Sequence, residues 1–238
     1  MINQQSKLIN QKFLILLEVI VQTIDDAVAA AAGGADRLEV VRAIRDGGLT
    51  PPLSLVEAIA RVTTLPLRVM VRDNAGFETT PAELRDLGRA ARAFAAAGVD
   101  GIVIGFARER ELLRRELADV LDAAPGLRAT FHRAFDTLRD PHRAIEVLAA
   151  IPSVDRILAS GGDGTAVERC ARLRDYSRLA GSRLTIVAGG GVDEEAFAMF
   201  AREECVRELH VGRAAREGND PEGPVTVARV RRLRSLAG

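Results

Sequence analysis

Hydrophobic and polar positions along this chain repeat in a two-part pattern. Short apolar runs alternate with longer, alanine-rich amphipathic stretches. The runs cover residues 13–19, 37–41, 67–72, 101–106, 128–132, 156–159, 184–188 and 208–211. Runs this short, without sustained alternation, predict strands buried on both faces, as in a parallel sheet. Their starts recur at roughly 30-residue intervals, the length of one strand–helix unit. The stretches between them read as helices with recognisable ends. Residues 25–32 run into Gly33-Gly34, a helix stop. Thr80-Pro81 opens a helix that continues to about Ala97, and Asp140-Pro141 opens another. Both pairs suit an N-cap followed by a first-turn proline. Asp163 and Asp193 are further N-cap candidates, and the last helix is expected over residues 225–236.

Eight strands and eight helices with no break in composition predict a single (β/α)8 TIM barrel over residues 13–238. A doubly wound open sheet is the alternative, but no dinucleotide glycine fingerprint follows the first strand. Residues 1–12 are polar and read as a flexible N-terminal extension. Lys7 and Lys12 ahead of an apolar run have the outline of a signal peptide. Glu18 interrupts that run and Asp25 and Asp26 follow it, so a buried strand is the expectation. No apolar run approaches the roughly 20 residues of a membrane helix, and no membrane partner is expected. The 33 basic and 33 acidic residues give a net charge of +0, and aromatics are only 4%. Those values exclude a basic field or a base-stacking platform for nucleic acid. Cys170 and Cys205 are too few for a disulfide framework or a thiolate zinc cage.

A barrel of this kind builds its site where strands end and run into the following loops. The polar residues there are Glu18, Glu39, Arg72, His132 with Arg133 and Asp136, Ser160, and His210. Glu18 and Glu39 lie within apolar strands, where a carboxylate needs a partner or a large pKa shift. Arg72, on the next strand, would balance them. His132 suits acid–base work near neutral pH, or metal ligation together with His210. Arg133 suits a carboxylate or phosphate, and Asp136 would orient a neighbour or pair with Arg133 at i, i+3. Glycines mark a second feature: Ser160-Gly161-Gly162, then Gly189-Gly190-Gly191, then Gly212-Arg213. Glycine lets backbone N–H groups approach an anion, and barrels often hold phosphate after their seventh and eighth strands. The other reading of these glycines is tight turns. Gly47-Gly48-Leu49-Thr50-Pro51 forms a sharp loop that could cover the mouth.

Taken in order, these segments resemble the CutC family, named for copper homeostasis. The resemblance rests on Leu17-Glu18, Gly34-Ala35-Asp36-Arg37-Leu38-Glu39, Gly47-Gly48-Leu49-Thr50-Pro51, Arg72, Thr130-Phe131-His132-Arg133-Ala134-Phe135-Asp136, Ser160-Gly161, Gly189-Gly190-Gly191-Val192 and Glu208-Leu209-His210. It implies a cytoplasmic barrel, often a homodimer or higher homo-oligomer, associated with copper binding. It brings no assigned reaction. Family members often carry cysteines just after the first and second strands, where this chain has Val19-Ile20-Val21 and Val40-Val41. The family's glycine-rich stretch after strand three reads Arg72-Asp73-Asn74-Ala75-Gly76-Phe77 here. Cu(I) prefers sulfur ligands. Three readings follow: a copper-binding protein, an acid–base enzyme (isomerase, epimerase or lyase) acting on a small phosphorylated or carboxylated metabolite, and a non-catalytic scaffold. The residues themselves favour the second.

Overall fold

A computed structural model describes residues 15–237. The expected extension at residues 1–12 lies outside the described residues. Eight parallel strands close a barrel: β1 (Leu16–Val21), β2 (Arg37–Val40), β3 (Leu67–Met70), β4 (Gly101–Ile104), β5 (Arg128–Phe131), β6 (Val154–Ala159), β7 (Thr185–Ala188) and β8 (Glu208–Val211). β1 pairs with both β2 and β8, which closes the sheet and excludes the open alternative. Eight helices surround it: α1 (Ile24–Gly33), α2 (Leu53–Val62), α3 (Pro81–Ala96), α4 (Arg114–Leu121), α5 (Pro141–Ala149), α6 (Ala166–Ala180), α7 (Glu194–Arg202) and α8 (Val227–Leu236). None of the described helices is long and apolar enough to cross a membrane.

Local chemistry sets the helix ends. Thr80 caps α3 in a full capping box with Glu83, and Pro81 takes the first turn. Asp140 and Asp193 cap α5 and α7 as expected. Asp163 does not cap α6; Thr165 does, two residues later, because Glu168 returns the bond to its backbone N–H. The first strand also lies later than the apolar run at 13–19, beginning at Leu16 opposite Glu208.

Side chains alternate along each strand, and the two faces differ sharply. The outward face is aliphatic, for example Leu17, Val19 and Val21, and packs under the helices. Inside, a chain of ion pairs crosses the barrel. Arg68 is fully buried and bonds Asp100 at 2.7 Å and Asp155 at 2.9 and 2.7 Å. Arg156 bonds Asp155 and reaches Glu208 at 2.9 Å. Arg37 joins Glu208, at 2.5 Å, to Glu18. Buried charges persist only when paired in this way.

Cys170 on α6 and Cys205, just before β8, form a disulfide with a Cα–Cα distance of 5.3 Å. Cysteine count gave no sign of this single bridge. The 35-residue separation encloses β7 and α7. Closing a loop of that size removes denatured-state entropy amounting to about 4 kcal/mol. A Cys170→Ser/Cys205→Ser variant is therefore expected to melt roughly 8–16 °C below the oxidised protein. Equal melting temperatures would mean that the bridge adds nothing.

Candidate active site

The carboxyl ends of the strands surround a cavity of about 670 Å3, a size typical of small-molecule sites. Its floor comes from inward positions of the barrel. Glu39 and His210 line it from β2 and β8, and His132 enters from the end of β5. His210 sits between two carboxylates, with Nδ1 2.7 Å from Glu18 Oε1 and Nε2 3.4 Å from Glu39 Oε2.

These neighbours drive the three acidic and imidazole groups apart. Burial pushes the Glu18 carboxyl up, but Arg37 and His210 outweigh it and hold Glu18 well below the usual carboxylate range. Burial, helped by the charge of Glu18, raises Glu39 to about 7 despite His210 and Arg37. Burial lowers His210, yet Glu39 and Glu18 raise it more, so its net shift is upward. One carboxylate is thus fixed as an anion while the other titrates near neutral pH.

His132 is held differently. Its Nδ1 accepts the Ala134 N–H at 3.1 Å, so the neutral ring carries its proton on Nε2. Burial, reinforced by Arg72 and Arg133, lowers its pKa to about 3, which keeps it neutral. A Cβ at Gly105 would lie 2.6 Å from His132 Nδ1, so only glycine there admits the ring. Neither His132 Nε2 nor Glu39 Oε1, both buried, has a partner among the described residues.

Other expected residues take different places. Arg72 does not balance Glu18 and Glu39. Its guanidinium donates to the carbonyls of Gly47 and Gly76, each at 3.2 Å, and of Ala75, and it lies over the Phe77 ring. Arg37 balances Glu18 instead, because the two side chains share the inner face of adjacent strands. Asp136 pairs with Arg133 at 2.9 Å and accepts the Ser160 N–H at 2.9 Å, so it braces two loops. Ser160, Gly161 and Gly162 lie off the cavity, where Arg169 and Arg172 of α6 bind the Ser160 and Gly161 carbonyls. Gly189 is also off it, packed against Leu158 and His210. Gly190, Gly191, Gly212 and Arg213 do line the cavity. Arg213 is exposed and has no ion-pair or side-chain hydrogen-bond partner among the described residues. The sequence alone assigns no site role to Arg37, Arg68, Arg156 or Glu208. Their signal was charge at alternate positions inside strands, as in Arg37 with Glu39 and Glu208 with His210.

The residues do not fit a resident copper centre. Among the described residues no three His, Cys, Asp or Glu side chains are grouped to hold a metal ion. The two cysteine sulfurs, which would suit Cu(I), are joined to each other away from the cavity, and among the described residues only the Met70 thioether brings sulfur to its lining.

The molecule is thus a (β/α)8-barrel protein with a half-open site, lined by charged side chains, at the carboxyl end of its strands. The CutC family model matches residues 15–215, and the chain belongs to the CutC family. A CutC family protein of Mesorhizobium japonicum is 36% identical over 82% of this chain and 76% of its own length. The human copper homeostasis protein cutC homolog is 32% identical over 82% of this chain and 72% of its own. The solved structure of the CutC protein of Streptococcus agalactiae superposes with a TM-score of 0.76 at 24% identity, covering 83% of this chain and 98% of that one.

Proposed function

We propose that the barrel mouth is an active site for proton transfer on a small phosphorylated or carboxylated carbonyl compound, as in an isomerase, epimerase or lyase. The observation that carries this reading is the pair of buried, unpartnered atoms, Glu39 Oε1 and His132 Nε2, on residues that line one cavity. Buried polar atoms without partners are uncommon and call for an explanation, and a ligand supplies one. Glu39, ionising at about 7, is suited to take a proton from the carbon beside a carbonyl. The C–H electron pair then forms the C=C bond of an enolate, and the carbonyl oxygen takes the charge. A neutral His132 donates its Nε2–H to that oxygen, as an uncharged imidazole does in other enolising barrels. Glu39 returns the proton to a neighbouring atom. The ligand's anionic group lies by Arg133, Arg213 and the Gly190 and Gly191 amides.

The test is hydrogen exchange. Candidate compounds are incubated with the protein in D2O, and loss of the α-hydrogen is followed by NMR. Exchange that disappears in Glu39→Gln supports the reading. No exchange from any phosphorylated or carboxylated carbonyl compound, together with no thermal shift from phosphate, rejects it. Gly190 tests the anion site separately. Its φ is +76° and a Cβ would lie 2.5 Å from Arg133 Nε. Gly190→Ala should lose at least roughly tenfold in phosphate affinity, with about 1–2 kcal/mol of backbone strain. Gly191→Ala, also at positive φ but with nothing within 4 Å of its Cβ, should keep more of the binding. Phosphate-induced melting shifts of the two variants measure the difference.

Binding of copper as a passing cargo, not in a resident centre, is the second reading; the copper homeostasis name of the human relative favours it, and the described residues form no ready-made metal group. His132 and His210 would be its ligands. Stoichiometric copper under reducing conditions, lost in a His132→Ala/His210→Ala variant, would support it. Binding unchanged by those substitutions would reject it.

A further inference from the structure

The cavity rim carries a distinct apolar cluster. On the β1–β3 side Ile20, Val41, Ile44 and Met70 line the cavity. With Val103 these side chains form a small apolar cluster separate from the main core. Ile20 and Ile44 keep part of their surface exposed there. The loops after β5 and β7 present Arg133, Gly190 and Gly191 farther round the rim, and Arg213 follows β8 next to the apolar cluster, where a Cβ on Gly212 would lie 3.1 Å from Ile20 Cδ1. The two other arginines at the cavity are already engaged. Arg72 holds backbone carbonyls, and Arg45 pairs with Asp220 at 3.4 Å and Glu222 at 3.2 Å. Arg133 pairs with Asp136 at 2.9 Å, and Arg213 has no ion-pair partner among the described residues, so the cation left free for a ligand stands next to the exposed edges of Ile20 and Ile44.

We infer that the ligand is amphiphilic: an anionic head, phosphate or carboxylate, carrying a branched or aromatic hydrocarbon body that lies on the Ile20–Val41–Ile44–Met70 wall. This rests on the anion-site reading above and narrows it. A bare sugar phosphate, hydroxylated along its length, would leave that wall wet and bring polar groups against it. A hydrocarbon body removes the wall from water.

The test is an affinity series measured by calorimetry on the whole chain. Inorganic phosphate is compared with methyl, butyl, isopentyl and phenyl phosphate, and acetate with the matching carboxylates. The matching neutral alcohols are run alongside. Affinity is expected to rise roughly fourfold for each methylene that reaches the wall. In Ile44→Ser the ratio of phenyl phosphate to inorganic phosphate affinity should fall several-fold. Ile44 lies in a short surface turn, and an unchanged melting curve checks that the variant is folded. Ile20→Ala provides a second variant. Whichever head binds more tightly names the head group. A flat series, with inorganic phosphate bound as well as phenyl phosphate, overturns this inference and leaves the anion site standing. Alcohols that bind as well as the charged compounds also overturn it. Absence of binding by every anion, with Gly190→Ala indistinguishable from the parent, removes the anion-site reading and this one together.

Discussion

Glu39→Gln is expected to make the protein more stable and, if the site transfers protons, inactive. The sign follows from the direction of the shift. Burial raises the Glu39 carboxyl from 4.5 to about 7, so the folded state holds this proton more tightly than the unfolded chain does. That preference favours the fold fully below about pH 4.5 and is lost as the pH rises through 7. Above pH 8 the ionised carboxylate costs about 3 kcal/mol relative to the neutral form. Glutamine avoids the charge at every pH. The variant should therefore melt with the parent near pH 4.5 and roughly 6–12 °C above it at pH 8.5. Turnover, where a substrate is found, should fall about 10²–10⁴-fold. Melts of both proteins across that pH range decide the point. A constant difference, or a less stable variant at pH 8.5, would show that Glu39 is an ordinary paired carboxylate.

Arg37→Leu is expected to have the opposite effect on stability. Arg37 is buried between Glu18 and Glu208, and its loss leaves Glu18 with His210 alone. Removing one member of a buried ion pair typically costs about 3–5 kcal/mol. Glu18 is depressed in the fold, so its stabilising contribution is present above about pH 4.5 and disappears as the pH falls through its folded value. The gap between variant and parent should therefore be widest at neutral pH and narrow in acid. Adding Glu18→Gln should recover part of the loss. A denaturant midpoint unchanged from the parent at pH 7 would mean that the interior charges are independent of one another.

The barrel was legible in sequence because its outward strand faces must be aliphatic to pack under the helices. The inward faces hid part of it. β6 begins at Val154, two residues before the run at 156–159, because Asp155 separates Val154 from that run. The runs at 37–41, 67–72 and 156–159 contain Arg37, Arg68 and Arg156, but the linear pattern does not say which acid each meets across the barrel. Glu39, His132, Gly190 and Arg213 were found as strand-end or loop residues, and the structure puts them around one cavity. Arg72 was misjudged because proximity in strand order says nothing about a guanidinium turning back onto its own loop. The pairing of Cys170 with Cys205 depends on how α6 meets the turn before β8, which no local pattern encodes.

The interior charges also bear on how long the fold lasts once made. The Arg37–Glu208 and Glu18–His210 bonds join residues 171 and 192 positions apart. Neither can form until the last strand has closed against the first, and closing so long a loop is expected late in folding. Interactions that appear this late are largely missing from the folding transition state. Weakening them speeds unfolding and leaves the folding rate little changed. The charged axis of this barrel acts as a latch, setting the lifetime of the closed form and not the speed at which it is reached.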